Sequence, residues 1–337
     1  MKAMLRVCLK QLVLLLALAV VTLNAQNTNF SVFKIIVYHQ ISGSIPTTPD
    51  VPNAYFFGAQ FNTADSSDYL DVYFTDPANA GVPVYLTQEN PYYYDFGSPY
   101  YADKPSFDAD YPGGEYDFFV DRTDVVDQTT FTDTGSLIIP DQDFYATNEA
   151  GFTTNCWLAM QNIDPSQDFE LDWNSFVPLP VTTSAYTFVD VYSQSDGSEP
   201  FAADFLSPSI STTNIPANTL QYGTTYRIND IFSSRIDTPD AGFGGALGTV
   251  GLDKQTYTYF TTIPPWLNIA GTPTNSVILT WPSLASNYVL EAVSQVSASS
   301  IWVTTTNIPS TLGSTNYVAL PATGTGQFFR LAPASSL

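Results

Sequence analysis

Residues 115–121 read EYDFFVD, and this short stretch decides the fold class. Apolar side chains at 116, 118 and 120 alternate with carboxylates at 115, 117 and 121. A β-strand points successive side chains to opposite faces, so the pattern predicts a strand that buries one face and exposes the other. The same alternation recurs at 70–74, 168–173, 277–281 and 288–292. It is typical of antiparallel sheets, whereas buried parallel strands are apolar throughout.

The composition agrees with an all-β globular protein and excludes other classes. The chain has 337 residues, 44% hydrophobic and 15% aromatic, enough for two or three domains with cores of their own. Its formal charge of -22 argues against nucleic-acid binding, which needs a basic face. One His and two Cys exclude most His/Cys metal sites and disulfide frameworks. We find no amphipathic helical pattern beyond the N-terminal segment.

The first 25 residues have the features of a signal peptide. Three basic residues accompany an apolar run from Leu12 to Leu23, which is shorter than the ~20 residues that span a bilayer. We expect cleavage after Ala25, with an uncleaved anchor as the alternative, and no membrane span afterwards. Cleavage would remove three basic residues and Cys8, leaving a still more acidic chain with one thiol.

Many short strands separated by turn residues predict tandem antiparallel β-sandwiches. We divide the chain into a signal peptide and three modules, at 1–25, 26–135, 136–262 and 263–337. The segment 136–140, SLIIP, begins the second module, and the Pro-containing segment 261–265, TTIPP, precedes the third. A single larger sandwich over 26–262 is the alternative.

Residues 220–226, LQYGTTY, carry a resemblance to fibronectin type III modules. They match that family's Leu-x-Pro-Gly-Thr-x-Tyr segment, with Tyr222 in place of proline. The resemblance covers about 136–262, with Trp173 as the early tryptophan and a candidate strand over 185–192. It implies that the hydroxyl of Tyr226 reaches upstream backbone in a corner contact.

The C-terminal segment is similar to short terminal modules of secreted bacterial proteins, which themselves resemble fibronectin type III. Its expected strands are 277–283 with Trp281, 287–293, 300–306 and 326–331. It lacks the Leu-x-Pro-Gly-Thr-x-Tyr segment, and about 75 residues is small for an independent sandwich, so packing on its neighbour is expected. The N-terminal segment resembles no family. Modules of this family generally bind, space or adhere, which is what the resemblance implies here.

The candidate catalytic residues favour structural roles. His39 is the sole histidine and ends a predicted strand. At that position we expect a hydrogen-bonded structural side chain rather than a general base. Asp133-Thr134-Gly135 resembles the aspartic-protease motif, but that chemistry needs a second copy, and a turn explains the motif better. Alternation in TTNCWLAM predicts that Cys156 is a buried, inert thiol in a strand. We therefore expect no catalytic residues and no cofactor, with a hydrolase using an unrecognised carboxylate pair as a remote alternative.

Two clusters are candidates for binding. Asp-rich loops suit Ca²⁺, which takes six to eight oxygen ligands, and the sequence offers Asp108, Asp110 and Glu115 as weak candidates, although Pro112 and Phe119 break the EF-hand spacing. The second cluster is a tyrosine-rich stretch at 90–101. Consecutive tyrosines cannot all face a core, so some should reach the surface. Exposed aromatic rings there can bind sugars or proteins. The alternative is a loop packed on the sandwich edge. The candidate ligand-binding residues are Tyr92, Tyr93, Tyr94, Tyr100 and Tyr101.

These observations predict a non-catalytic, exported, acidic β-sandwich protein for extracellular binding, adhesion or structural spacing. The alternative is a carbohydrate-binding protein of an exported polysaccharide-degrading system. An extracellular protein or a polysaccharide is the expected partner, and no nucleic acid. We expect a monomer that is secreted or held at the cell surface, with the periplasm as an alternative location.

Overall fold

The computed structural model describes residues 27–63, 69–79, 81–123, 129–240, 243, 245–322 and 326–334. The predicted signal peptide at 1–25 lies outside these residues. Up to residue 139 the strands are β1 (Asn27–His39), β2 (Tyr55–Thr63), β3 (Tyr69–Thr75), β4 (Val84–Tyr85), β5 (Thr87–Asn90), β6 (Tyr93–Gly97), β7 (Gly114–Thr123) and β8 (Thr130–Ile139). The strands that follow are β9 (Phe169–Asp172), β10 (Ser184–Ser193), β11 (Phe201–Leu206), β12 (Thr212–Ile215), β13 (Thr225–Asp240) and β14 (Ala246–Thr261). The C-terminal strands are β15 (Asn268–Gly271), β16 (Ser276–Pro282), β17 (Tyr288–Val293), β18 (Val303–Thr304), β19 (Ser310–Leu312), β20 (Thr315–Pro321) and β21 (Phe328–Pro333). The all-β fold class is confirmed.

An eight-stranded sheet joins the first two predicted modules. Its strand order is β11-β10-β13-β14-β1-β2-β6-β5. Neighbouring strands are antiparallel, as expected, except that β1 and β14 run parallel, with Asn29 opposite Leu247 and His39 opposite Tyr257. The sheet is continuous across the expected boundary at residue 135 between modules 26–135 and 136–262. The domain division itself stays a prediction.

A second layer covers one face of this sheet. The four-stranded sheet β4-β3-β7-β8 packs on β1 and β2 through an aromatic core that includes Phe30, Phe57, Phe74 and Phe118. Over β10, β13 and β14, a second core contains Trp173, Met160 and side chains of the two-stranded sheet β12-β9. On β7 and β8 the buried positions recur at alternate residues, as period-two patterning predicts, whereas β2, β10, β13 and β14 are buried at consecutive positions.

Two short helices connect strands of this all-β fold, although the sequence shows no amphipathic helical pattern beyond the N-terminal segment. The first, α1 (Lys104–Asp110), begins at Asp103, whose carboxylate accepts a hydrogen bond from the Ser106 N–H at 2.9 Å. The second, α2 (Thr154–Met160), begins at Thr153. A side-chain acceptor at this position satisfies an N–H group that has no partner within the helix.

Cys156 lies in α2, so the predicted strand around it is wrong. Cys156 and Met160 are buried while Leu158 is 55% exposed. A strand would place all three on one face, whereas a helix places residues i and i+4 together and turns i+2 away. The thiol is buried as expected, and burial raises its pKa to about 11.

The C-terminal module is a small sandwich of two sheets, β15-β16-β20-β19 and β18-β17-β21. Four strands facing three is the count of an immunoglobulin-like sandwich. Trp281 on β16 is 2% exposed and lies at the centre of its core. Tyr222, from the neighbouring unit, belongs to the same core, so the module packs on its neighbour. The Asn287 side-chain amide adds a hydrogen bond to the Tyr222 carbonyl at 3.3 Å.

The corner contact implied by the type III resemblance is present. The Tyr226 hydroxyl accepts a hydrogen bond from the Gln221 backbone N–H at 2.8 Å. Tyr222, the departure from the family's proline, uses its ring to fill the C-terminal core and donates its hydroxyl to Asp164 at 3.0 Å. The segment therefore has the corner hydrogen bond that the resemblance implies, although its strands belong to the larger eight-stranded sheet.

Candidate functional site

The tyrosine-rich stretch does not form a continuous exposed platform. Tyr92, in the turn between β5 and β6, is 53% exposed. Tyr93 and Tyr94 point to opposite faces of β6, yet both are buried. Burial raises the pKa of the neighbouring Asp95 carboxyl to about 7, and the negative charge of Glu89 adds to this effect. Of the three consecutive tyrosines, only Tyr92 offers its ring to a partner.

Tyr100 and Tyr101 attach the following loop to the sheet. The Tyr100 ring packs on Phe56 with 5.2 Å between centroids. The Tyr101 backbone forms a β-bridge with Tyr55, and its hydroxyl donates to Asp110 at 2.7 Å. Tyr100 and Tyr101 therefore pack against the sheet, as in a loop that lies on the sandwich edge. Ligand binding by these tyrosines stays a prediction.

The three calcium candidates do not share a site. Asp108, on α1, lies between two cations, at 2.6 Å from the Lys34 ammonium and also in contact with Lys104. Burial acts to raise the pKa of Asp108, but the two lysines outweigh it and lower the pKa below its usual value. Asp110 accepts from Tyr101, and Glu115 is exposed on β7. Within the described ranges, no group of three or more His, Cys, Asp or Glu residues is placed to hold a metal, so calcium binding stays a prediction.

His39 and Asp133 are held by structural contacts. The His39 ring stacks on Tyr257, with centroids 4.4 Å apart. Asp133 forms an ion pair with Arg122 on the adjacent strand. The Asp-Thr-Gly motif lies inside β8, so the turn predicted for it is wrong. Ladder hydrogen bonds to β7 hold this backbone extended, which the local sequence does not reveal.

A buried polar band crosses the eight-stranded sheet on the face opposite the second layer, and sequence reasoning missed it. The Arg235 guanidinium donates to the Ser233 hydroxyl at 2.9 Å, and Ser233 lies opposite Asp253. Burial raises the pKa of Asp253 to about 6, against the opposing effect of the Arg235 charge. Polar residues at alternate positions of 225–237 could have indicated this face, but the pattern predicts a wet surface rather than a buried one.

Aromatic rings enclose the cations of this band. The Arg235 guanidinium lies 5.7 Å from the Phe33 ring and 5.6 Å from the Phe188 ring. The Arg227 guanidinium lies 4.3 Å from Tyr257, and its Nε donates to the Asn229 side-chain oxygen at 2.9 Å. Cation–π contacts and charge-assisted hydrogen bonds stabilise buried charge. Aromatic rings and polar side chains therefore surround both buried arginines of the band.

A partly exposed aromatic row on the second layer was also missed. Tyr85, Tyr73 and Phe119 occupy directly opposite positions on β4, β3 and β7. Their ring centroids are 5.3 Å apart for Tyr73 and Tyr85 and 5.0 Å apart for Tyr73 and Phe119. Tyr85 is 56% exposed at the end of the row. Asp71 and Asp121 lie opposite each other beside the row, so hydrogen-bond acceptors flank the rings.

No described helix has the length and apolar composition needed to cross a bilayer. No family model and no curated protein matches the chain. Among solved structures it is similar to the FN1-FN3 domains of chicken CNTN1, at 8% identity and a TM-score of 0.21, with 82% of this chain and 86% of that chain covered.

Two other tandem structures are similar at the same level. A tetra-tandem repeat in the extending region of a large adhesion protein is 11% identical with a TM-score of 0.24, covering 87% of this chain and 66% of that chain. The I9-I11 tandem from titin is 8% identical with a TM-score of 0.19, covering 92% and 94%. The β-sandwich assignment follows from the sheets and the corner contact described above.

Proposed function

We propose that this chain is an exported, non-catalytic β-sandwich protein that serves extracellular binding, adhesion or spacing. One observation carries the proposal: the side chains suited to catalysis take part in packing. His39 stacks on Tyr257, Cys156 is buried with a pKa of about 11, and Asp133 pairs with Arg122. A general base or nucleophile must reach a substrate, and these groups are already engaged.

The test is a binding and activity screen on the purified full chain. Labelled protein is incubated with cell-surface preparations and a panel of polysaccharides, and the same preparation is assayed for hydrolysis of those polysaccharides. We expect saturable retention on at least one surface without product release. Hydrolysis that is lost on substitution of one carboxylate would overturn the non-catalytic assignment. If the protein is retained on none of these surfaces, binding and adhesion are excluded as functions and structural spacing remains.

Carbohydrate binding is the second candidate, and the partly exposed aromatic row supports it. The outward part of the Tyr85 ring gives a sugar an apolar surface, and the carboxylates of Asp71 and Asp121 beside the row accept hydroxyl hydrogen bonds. Stacking of one ring on a sugar unit is individually weak, so affinity should depend on chain length.

Two equally exposed tyrosines distinguish the row from the tyrosine-rich stretch. Tyr85 is 56% exposed and Tyr92 is 53% exposed. In titrations with a neutral polysaccharide, Tyr85→Ala should weaken binding at least about tenfold while Tyr92→Ala leaves it unchanged. Loss with Tyr92→Ala alone would move the site to the tyrosine-rich stretch. Wild-type affinity in both variants would exclude both surfaces as the binding site.

A further inference from the structure

Charge is divided unevenly along the chain. Residues 255–337 contain one acidic residue, Glu291, and one basic residue, Arg330, so the whole formal charge of -22 comes from the residues before them. Glu291 and Arg330 lie opposite each other on β17 and β21 and form an ion pair at 2.7 Å. The C-terminal module is therefore neutral, and its two charged side chains neutralise each other.

Large apolar side chains are exposed along one segment of this module, residues 296–312, which we call the edge segment. The exposed fraction is 82% for Ile301, 90% for Ile308 and 77% for Leu312, and Val296 and Val303 are also exposed. Exposed apolar surface marks interaction sites, and five large apolar side chains are exposed within this one segment.

The edge segment includes the outermost strand of each sheet. β18 ends the three-stranded sheet, and β19 ends the four-stranded sheet. The chain passes directly from β18 to β19, so both edges lie on the same side of the sandwich. Soluble proteins protect such edges with charged side chains, with proline or by keeping the edge strand very short. Here β18 and β19 are short and Pro309 is present, but the segment has no charged residue, so its exposed apolar side chains remain open to a partner.

We propose that the edge segment is a self-association surface that joins the C-terminal modules of two copies of this chain. A second copy supplies an equally neutral, apolar edge, and pairing of like edges about a two-fold axis is self-complementary. Contact through the acidic residues 27–254 would oppose two strongly negative surfaces, whereas contact through the edge segment opposes neutral ones. The sequence predicts a monomer. Charge repulsion supports that prediction for contacts through residues 27–254, but it does not act between two neutral C-terminal modules.

Sedimentation equilibrium of the full chain tests the proposal. We expect the average mass to rise from one chain towards two as concentration increases. The Ile301→Glu/Ile308→Glu variant should keep the mass of one chain, because the two-fold axis brings the added carboxylates of both copies together. These side chains are almost fully exposed, so their replacement removes little buried contact. Unchanged circular dichroism and melting temperature verify folding.

Ile41→Glu is the matched control, because Ile41 is 74% exposed but lies in the acidic part of the chain. This variant should associate as the wild type does. Raising the salt from 0.1 M to 1 M shortens the Debye length from about 10 to about 3 Å and should increase the dimer fraction, since repulsion between the acidic parts is screened. Wild-type protein that stays monomeric in 1 M salt, or a doubly substituted variant that still forms dimers, would overturn the proposal. Loss of association in Ile41→Glu would also overturn it, because the contact would then lie elsewhere.

Discussion

Gly223 offers the sharpest test of how the C-terminal module is held. Its φ is +59°, and a Cβ added there would overlap the Tyr288 hydroxyl and approach the Tyr288 Cζ to 2.9 Å. Gly313 has the same φ of +59°, but a Cβ added there would meet nothing within 4 Å. The two positions therefore share a backbone conformation, and a ring stands in the way of a Cβ at Gly223 only.

The expected losses follow from that difference. An alanine in the left-handed region costs about 1–2 kcal/mol at either position. At Gly223 the Tyr288 side chain must also move to make room for the new Cβ, and overpacking of this kind costs about 1–3 kcal/mol. Gly223→Ala should therefore lower the free energy of unfolding of the C-terminal module by about 2–5 kcal/mol, against about 1–2 kcal/mol for Gly313→Ala.

Urea unfolding followed by tryptophan fluorescence measures both losses, because Trp281 lies in the core of this module. The Tyr288→Ala substitution supplies a rescue, since it removes the ring that the new Cβ would strike. In the Tyr288→Ala background, Gly223→Ala should cost about as much as Gly313→Ala does in the wild type. Equal losses for the two glycine variants in the wild type, or strict additivity with Tyr288→Ala, would refute the reasoning.

Three other outcomes follow from the same contacts. Tyr226→Phe removes the corner acceptor of the Gln221 N–H and should cost about 1–2 kcal/mol in urea unfolding, whereas Tyr92→Phe at an exposed ring should cost nothing measurable. Asp95→Asn should stabilise the protein at pH 8 but not at pH 4. Burial raises the folded-state pKa of Asp95 to about 7, so wild-type stability falls as pH rises from about 4 to 7, and a pH-independent difference would contradict this. In a chain carrying Cys8→Ser, Cys156 should react with Ellman's reagent at pH 8 only after denaturation, and rapid labelling of native protein would be inconsistent with its burial.

Local alternation was enough to predict some of the strands. The expected strands at 185–192 and 287–293 correspond closely to β10 and β17. Alternation failed at Cys156, where apolar residues at i, i+2 and i+4 fit a strand, but only the first and last of them are buried in a helix. A helix of seven residues is too short for its period to stand out in the sequence.

Sheet order and the candidate site could not be predicted in the same way. No local pattern predicts that β1 pairs with β14, because this pairing depends on packing between segments far apart in the chain. The tyrosine-rich stretch was expected to reach the surface because one face of a strand is usually wet. Both faces of β6 are buried at Tyr93 and Tyr94, so only Tyr92 remains exposed. The aromatic row was missed because Tyr85, Tyr73 and Phe119 lie on three different strands.

The parallel pairing of β1 with β14 has a consequence for how the molecule is made. A ribosome delivers β1 first, yet one side of that strand has no neighbour until residues 247–257 have followed. Closing so long a loop is entropically costly and slows folding. Nascent chains cut off before residue 247 should therefore stay sensitive to protease, and protection should appear as a single late event during synthesis.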